Sequence, residues 1–318
     1  VLRRSIVLVA GLFLMSGVSA LAQDTTAGLA WKFEKDKAFY QKVSTKTSQS
    51  MTIMGTPTSQ TQEQTFYFKW TPVKEEGGKW TIKQTIEGVS MKIDIAGNPI
   101  SYDSTAPSNS GNTALAEFFK SIIGAEFTLT LDKSFKVEKV EGRDEFVKKL
   151  VQTNAQMEPL LKQLLSDDAI KQMADPSFGL IPPEPKKVGE NWKNVSKLDL
   201  GPIGSYENVF TYTYKGKDAA NKDFDRVEVA VALSYKAPTT GGDALPFKIK
   251  SADLKSNQDK APGVILFNTK TGRLESSKFE IFLGGKLEVE IGGMTTPVEL
   301  KQEQVTDVTT SETSFIKK

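Results

Sequence analysis

An apolar period of two, recurring along most of the chain, restricts the fold more than any other feature. In DRVEVAVALSY, Val227, Val229, Val231, Leu233 and Tyr235 alternate with polar or small partners. In TFYFKW, Phe66, Phe68 and Trp70 share a face. KWTIKQTI sets Trp80, Ile82 and Ile86 against Lys79, Thr81, Lys83 and Thr85, and SMKIDI repeats the pattern with Met91, Ile93 and Ile95. Successive side chains of a strand point to opposite faces, so this period means half-buried antiparallel strands, dry on one side and wet on the other.

Strand-like text runs from Trp31 to Ile95, with Glu75-Glu76-Gly77-Gly78 as a hairpin turn. A polar loop, residues 101–113, leads to a short helix over about Thr113 to Ile123. Leu115, Phe118, Phe119 and Ile122 fall at helical spacing there, and Gly124 is its stop. EFTLTLD and FKVEKVEG form another strand pair around the turn DKS. The period then changes over residues 144–174. Phe146, Val147, Leu150 and Val151 make one helical stripe, and Met157, Leu160, Leu161, Leu164 and Leu165 a second. Asp167-Asp168 opens a third helix, with Pro159 tolerated in the first turn of the second and Asp175-Pro176 ending the run. After Trp192 strands return, with Lys270-Thr271-Gly272 and Gly284-Gly285 as turn signals between neighbours.

Strands, then helices, then strands indicate an α+β fold of antiparallel β-meanders with a mid-chain helical cluster, not alternating βαβ units. The expected division is a leader over 1–22, an N-terminal meander with one short helix over 23–142, a helical segment over 143–178 and a C-terminal meander over 179–318. Gly-x-x-Trp occurs three times, at Gly28–Trp31, Gly77–Trp80 and Gly189–Trp192. The spacing points to a duplicated meander, with halves near 28–142 and 186–310.

The first residues carry Arg3 and Arg4, then an apolar run from Ser5 to Val18, then Ala20-Leu21-Ala22. That is the pattern of a secretory signal peptide, with cleavage between Ala22 and Gln23. The run is shorter than the ~20 residues of a spanning helix, and no cysteine follows it to take a lipid. The expected protein is therefore secreted or periplasmic, with no transmembrane anchor once the leader is removed. Without Arg3 and Arg4 the chain has 39 basic and 39 acidic residues, interspersed throughout. That balance argues against nucleic-acid binding, which needs a basic face to displace phosphate counterions.

The sequence contains no histidine and no cysteine. This excludes Ser-His-Asp triads, Cys-His nucleophiles, and zinc sites with His or Cys ligands. Carboxylate chemistry, Ser-Lys chemistry and oxygen-ligated calcium remain open. The acidic clusters are Glu75-Glu76, Asp167-Asp168 and the pair Asp223/Asp225; the run from Asp94 to Asp103 lacks the register of a calcium loop. Each reads more simply as a solvated turn or helix start. No catalytic residue, metal site or cofactor is expected.

LIPPEPKKVGENW, residues 180–192, reads as a semi-rigid connector from helices to sheet, with Pro182 and Pro185 matching a P-x-x-P ligand by spacing alone. Together with WKFEKDKAFYQKV and LDKSFKVEKVEGRDEF, this stretch resembles a family of uncharacterised secreted bacterial proteins of the planctomycete type. That family has no assigned activity, so the resemblance implies no catalytic residues. Long meanders covered by helices also look, at the level of architecture, like the half-barrels of periplasmic lipid and lipoprotein carriers.

The aromatics support one functional reading. Trp31, Phe33, Phe39, Phe66, Phe68, Trp70 and Trp80 can line a concave sheet face, capped by helices bearing Phe118, Phe119, Leu160, Leu161, Leu164 and Leu165. Loose capping leaves an apolar pocket for a lipid or for a lipidated or protein partner of the envelope. Tight capping leaves a closed core and a structural or interaction protein. A carboxylate-dependent hydrolase ranks third.

Overall fold

The computed structural model describes residues 29–106, 113–153, 155, 158–174, 178–239, 245, 247–256 and 261–316. The leader, its cleavage point at Ala22 and Gln23, and the Asp175-Pro176 stop lie outside the described residues. The protein is mostly β, built on one large antiparallel sheet. Its strands are β1 (Phe39–Ile53), β2 (Thr56–Glu76), β3 (Lys79–Ile95), β4 (Asn98–Asp103), β5 (Glu126–Leu131) and β6 (Val137–Glu141) in the first half. The second half supplies β7 (Asn191–Asp199), β8 (Ser205–Lys217), β9 (Phe224–Lys236), β10 (Lys248–Lys255), β11 (Gly263–Asn268), β12 (Arg273–Ile291) and β13 (Met294–Ser311). Between them lie α2 (Arg143–Thr153), α3 (Glu158–Leu164) and α4 (Asp167–Ala174), while α1 (Thr113–Ile122) sits between β4 and β5.

The sheet order is β6-β5-β3-β2-β1-β13-β12-β10-β9-β8-β7, with β4 beside β3, and β11 beside both β12 and β9. The two meanders meet where β1 pairs β13, from Tyr40 opposite Ser311 to Ile53 opposite Val298. One connection order occurs twice. β3 pairs β4 along its C-terminal half and β5 along its N-terminal half. β9 likewise pairs β10 near its C-terminal end and β11 along its N-terminal half. A long hairpin followed by two short strands end to end is thus the shared unit.

Local chemistry accounts for the turns. Met54-Gly55, Gly77-Gly78, Ala96-Gly97 and Gly292-Gly293 all have positive φ. Two-residue turns with both φ values positive match the twist of the strands they join. Gly284-Gly285 is not a turn. Both residues lie inside β12, opposite Lys301 and Leu300 of β13. A side chain at Gly285 would fall on the backbone carbonyl of Asp253 in β10, and its φ is +146°. A glycine inside a strand here marks close backbone approach. Two further expectations change. Residues 101–103 belong to β4, paired with β3, rather than to a loop. Residues 29–38 form no regular strand, yet Leu29, Trp31 and Phe33 are buried.

The helical cluster is tied by side chains to backbone ends. Arg143 Nε donates to the Leu165 carbonyl at 2.7 Å, and Nη2 to the Lys162 carbonyl at 3.1 Å. These are orphan acceptors at the end of α3, which no helical N–H reaches. Ser166 Oγ accepts from the Ala169 N–H at 3.2 Å, capping α4. The connector is clamped as well: Trp31 Nε1 donates to the Phe178 carbonyl at 2.6 Å and Trp192 Nε1 to the Leu180 carbonyl at 3.1 Å. Pro182 is buried while Pro185 is exposed, so the P-x-x-P pair does not present one free surface. No helix among the described residues is long and apolar enough to cross a membrane.

Trp192→Phe keeps an aromatic side chain but removes the indole N–H and one ring, leaving the buried Leu180 carbonyl without its donor. It should cost about 1–3 kcal/mol in urea unfolding. A change within error of zero would show that the clamp contributes nothing.

Candidate functional site

The inner face of the sheet and the helical cluster border a partly open cavity of about 230 Å³. Its sheet wall comes from β2 (Phe66, Phe68, Trp70), β1 (Gln41, Val43), β13 (Thr306, Val308) and β12 (Leu274, Ser277, Phe279). Register explains the assembly. Val43 lies opposite Phe66 on one side and Val308 on the other, and Val308 lies opposite Ser277. One row across four strands therefore mixes residues more than two hundred positions apart in sequence. Gln84, Ile86, Phe127, Leu129 and Val140 continue the wall outward.

The opposite wall is helical. Phe118, Phe119 and Ile122 come from α1, Phe146 and Leu150 from α2, and Leu161 from α3. Leu165, then Ile170, Met173 and Ala174 of α4, close it, with Trp31 and Leu180 beside them. The aromatics interlock: Phe118 stands edge-on to Phe119 at 5.2 Å, Phe127 to Phe146 at 5.0 Å, and Trp70 to Phe178 at 5.4 Å. Such edge-to-face pairs add about 0.5–1.5 kcal/mol each beyond area burial, which holds the walls in place around a space they do not fill.

Among the described residues, no side chain lining the cavity is charged. Its polar members are Gln41, Gln84, Ser277 and Thr306. Gln41 Nε2 donates to Thr310 Oγ1 at 3.4 Å. Ser277 Oγ and Trp70 Nε1 are buried with no hydrogen-bond partner among the described residues. Beyond Thr306 the inner face of the central strands turns polar. Thr47, Gln49, Gln60, Gln62, Gln64, Gln302 and Gln304 are all buried. Gln62 Nε2 donates to Gln64 Oε1 at 3.0 Å, and Gln304 Nε2 to Thr306 Oγ1 at 3.5 Å.

Of the pocket residues singled out in the sequence, the structure gathers Trp31, Phe66, Phe68, Trp70, Phe118, Phe119, Leu161 and Leu165 around this cavity, while Phe33 and Phe39 are buried away from it. Trp80 lies off it, half-buried at the start of β3 and edge-on to Phe33 at 5.5 Å. Leu164 turns into a separate small cluster with Ala169, Leu198, Leu200, Ile203 and Leu245. Leu160's side chain lies outside the described residues. The β12 and β13 contribution was not legible, because local alternation does not say which strands become neighbours. The glutamine strip has a local signal, glutamine at the alternate inward positions of β2, but a polar residue there reads as the wet face.

The acidic clusters are scattered and structural. Glu75 Oε1 accepts from the Gly78 N–H, and Asp94 Oδ1 from the Gly97 N–H, each at 2.8 Å within its turn. Asp223 pairs with Lys270 at 2.6 Å. Among the described residues no group of three or more acidic side chains converges to hold a metal ion. Asp225 is fully buried at the outer end of β9, 2.8 Å from Lys217 Nζ and 3.2 Å from the Tyr214 hydroxyl, which donates to it. Burial pushes its carboxyl up against the opposing pull of Lys217 and Tyr214. Burial, with Asp225 beside it, pushes the Tyr214 hydroxyl up to about 12.

With these features in view, the comparisons with known proteins add little chemistry. A family of unknown function (DUF6263) matches residues 77–223, from the β2–β3 turn to the start of β9. No curated protein matches the sequence. Among solved structures, one on lipid–protein interactions in lipovitellin is similar at 10% identity and a TM-score of 0.40. The match covers 90% of this chain and 26% of lipovitellin, so the chain spans about a quarter of that protein's length. DynF of the dynemicin biosynthesis pathway of Micromonospora chersina is similar at 6% identity and a TM-score of 0.21, covering 92% of this chain and 88% of its own. Pseudomonas aeruginosa OccK5 is similar at 6% identity and a TM-score of 0.19, covering 88% and 99%. Likenesses this distant carry no inference about function.

Asp225 supplies a pH test. Its folded-state pKa lies above the ordinary value of 3.8, so the native state holds that proton more tightly than the unfolded chain. Its contribution is fully present below 3.8 and is lost as pH rises through the folded value. Asp225→Asn should therefore gain stability relative to wild type as pH rises above about 4. A stability difference flat with pH, measured by urea unfolding at several pH values, would contradict the assignment.

Proposed function

We propose that this is an exported, non-enzymatic binding protein of the cell envelope. It holds an apolar ligand, or the apolar part of a lipidated or protein partner, between its sheet and its helices. The observation that carries this reading is the partly open cavity of about 230 Å³ whose wall, among the described residues, carries no charge. Leu161 and Phe118 on the helical side, and Val43 and Phe66 on the sheet side, face a common apolar space. A chain burying about 200 Å² there would gain roughly 5 kcal/mol before the costs of association. Among the described residues no titratable acid or base lines the wall, which supports binding rather than acid–base chemistry.

The test is titration with the uncharged fluorophore N-phenyl-1-naphthylamine. Wild-type protein should give a saturable one-to-one rise in emission with a blue shift. Leu161→Phe and, separately, Val43→Phe should weaken binding about tenfold by occupying the space, with far-UV circular dichroism unchanged. Binding that does not saturate, or that ignores both substitutions, would contradict the proposal.

A further inference from the structure

We infer that the cavity selects an uncharged amphiphile: one medium-length chain ending in a hydroxyl, ester or amide, with its polar end at Ser277 and Thr306. This rests on the binding reading above and narrows its ligand class.

Three observations carry it. The first is charge. An ionised head group in this wall would meet no counter-charge, and burying an unpaired charge costs several kcal/mol. Arg273, a buried cation of the same strand as Ser277, does not line the cavity. Its guanidinium carbon sits 4.5 Å from the centre of the Phe39 ring, and Glu34 and Glu312 supply the opposing charge.

The second is the placement of polar groups. Ser277 lies opposite Val308, and Thr306 is two residues along the same strand. The two side chains are therefore diagonal neighbours on the inner face. Ser277 Oγ has no partner among the described residues, and Thr306 Oγ1 accepts from Gln304 Nε2 at 3.5 Å, the long end of a hydrogen bond. Both hydroxyls retain capacity for a ligand oxygen. The glutamine strip begins behind Thr306, while the described cavity-lining residues of the opposing helices are aromatic or aliphatic. A molecule polar at one end and apolar along its length follows that gradient.

The third is size. At about 10–15 Å³ of cavity volume per water-sized group, the cavity of about 230 Å³ takes roughly fifteen to twenty groups, enough for one chain of medium length.

The experiment displaces bound N-phenyl-1-naphthylamine with 1-decanol, decanoate at about pH 8, and decyltrimethylammonium. These share a chain and differ in head-group charge. Decanol should displace at a concentration at least about tenfold below either ion. The double substitution Ser277→Ala with Thr306→Val should erase most of that advantage without abolishing fluorophore binding. Equal or better displacement by either ion would overturn the inference while leaving the binding reading intact; an advantage for decanoate would point to Arg273. An advantage for decanol that survives the double substitution would overturn the assigned position. If neither the fluorophore nor any of the three ligands binds, the binding reading itself falls, and the ligand class with it.

Discussion

The pairing of β1 with β13 is the contact on which the rest depends. It spans fourteen residue pairs, from Tyr40–Ser311 to Ile53–Val298, and joins strands from the two ends of the described chain. Without it there would be two meanders, each with an exposed edge of unpaired N–H and C=O groups. With it, Phe66 and Val43 from one meander stand in a row with Val308 and Ser277 from the other. The cavity wall is that row and its neighbours. Closing so long a loop is entropically costly, but the cost grows only logarithmically with length, while each added pair contributes its own hydrogen bonds.

The outer face works differently. Lys46 lies opposite Glu63, with Nζ and Oε1 2.7 Å apart, and Lys79 meets Glu138 at 2.6 Å. These pairs are about half exposed and contribute little stability each. They set which face is wet. The helices then cover the dry face; Arg143 bonds the end of α3, and Trp31 and Trp192 bond the Phe178 and Leu180 carbonyls of the connector. The connector in the opening of the second meander is part of this cover: Leu180 and Ile181 are buried, and Leu180 both lines the cavity and accepts the Trp192 indole.

Much of this was written locally. The inward positions Phe66, Phe68 and Trp70 follow from period two, and the helical stripes at Phe118, Phe119 and Leu161 from helical spacing. What local pattern could not carry is which inward faces share a space. Ser277 and Thr306 become wall residues through strand neighbours set by the whole sheet. Gly284-Gly285 misled because glycine serves both turns and close approaches, and only the presence of β10 decides between them. Trp80 misled because facing inward at a hairpin end places a ring against Phe33 rather than over the cavity. The buried glutamines are the clearest case: a polar residue in a strand reads as wet, yet Gln60, Gln62, Gln64, Gln302 and Gln304 are buried.

The central claim is that the space between sheet and helices is a binding site rather than a packing defect. The most direct measurement is native mass spectrometry of protein purified from cells under non-denaturing conditions, with solvent extraction and lipid analysis of the same sample. The account predicts a stoichiometric adduct that is removed by extraction and absent from protein carrying Leu161→Phe. A clean apo mass, with no adduct after incubation with extracted envelope lipids, would contradict it.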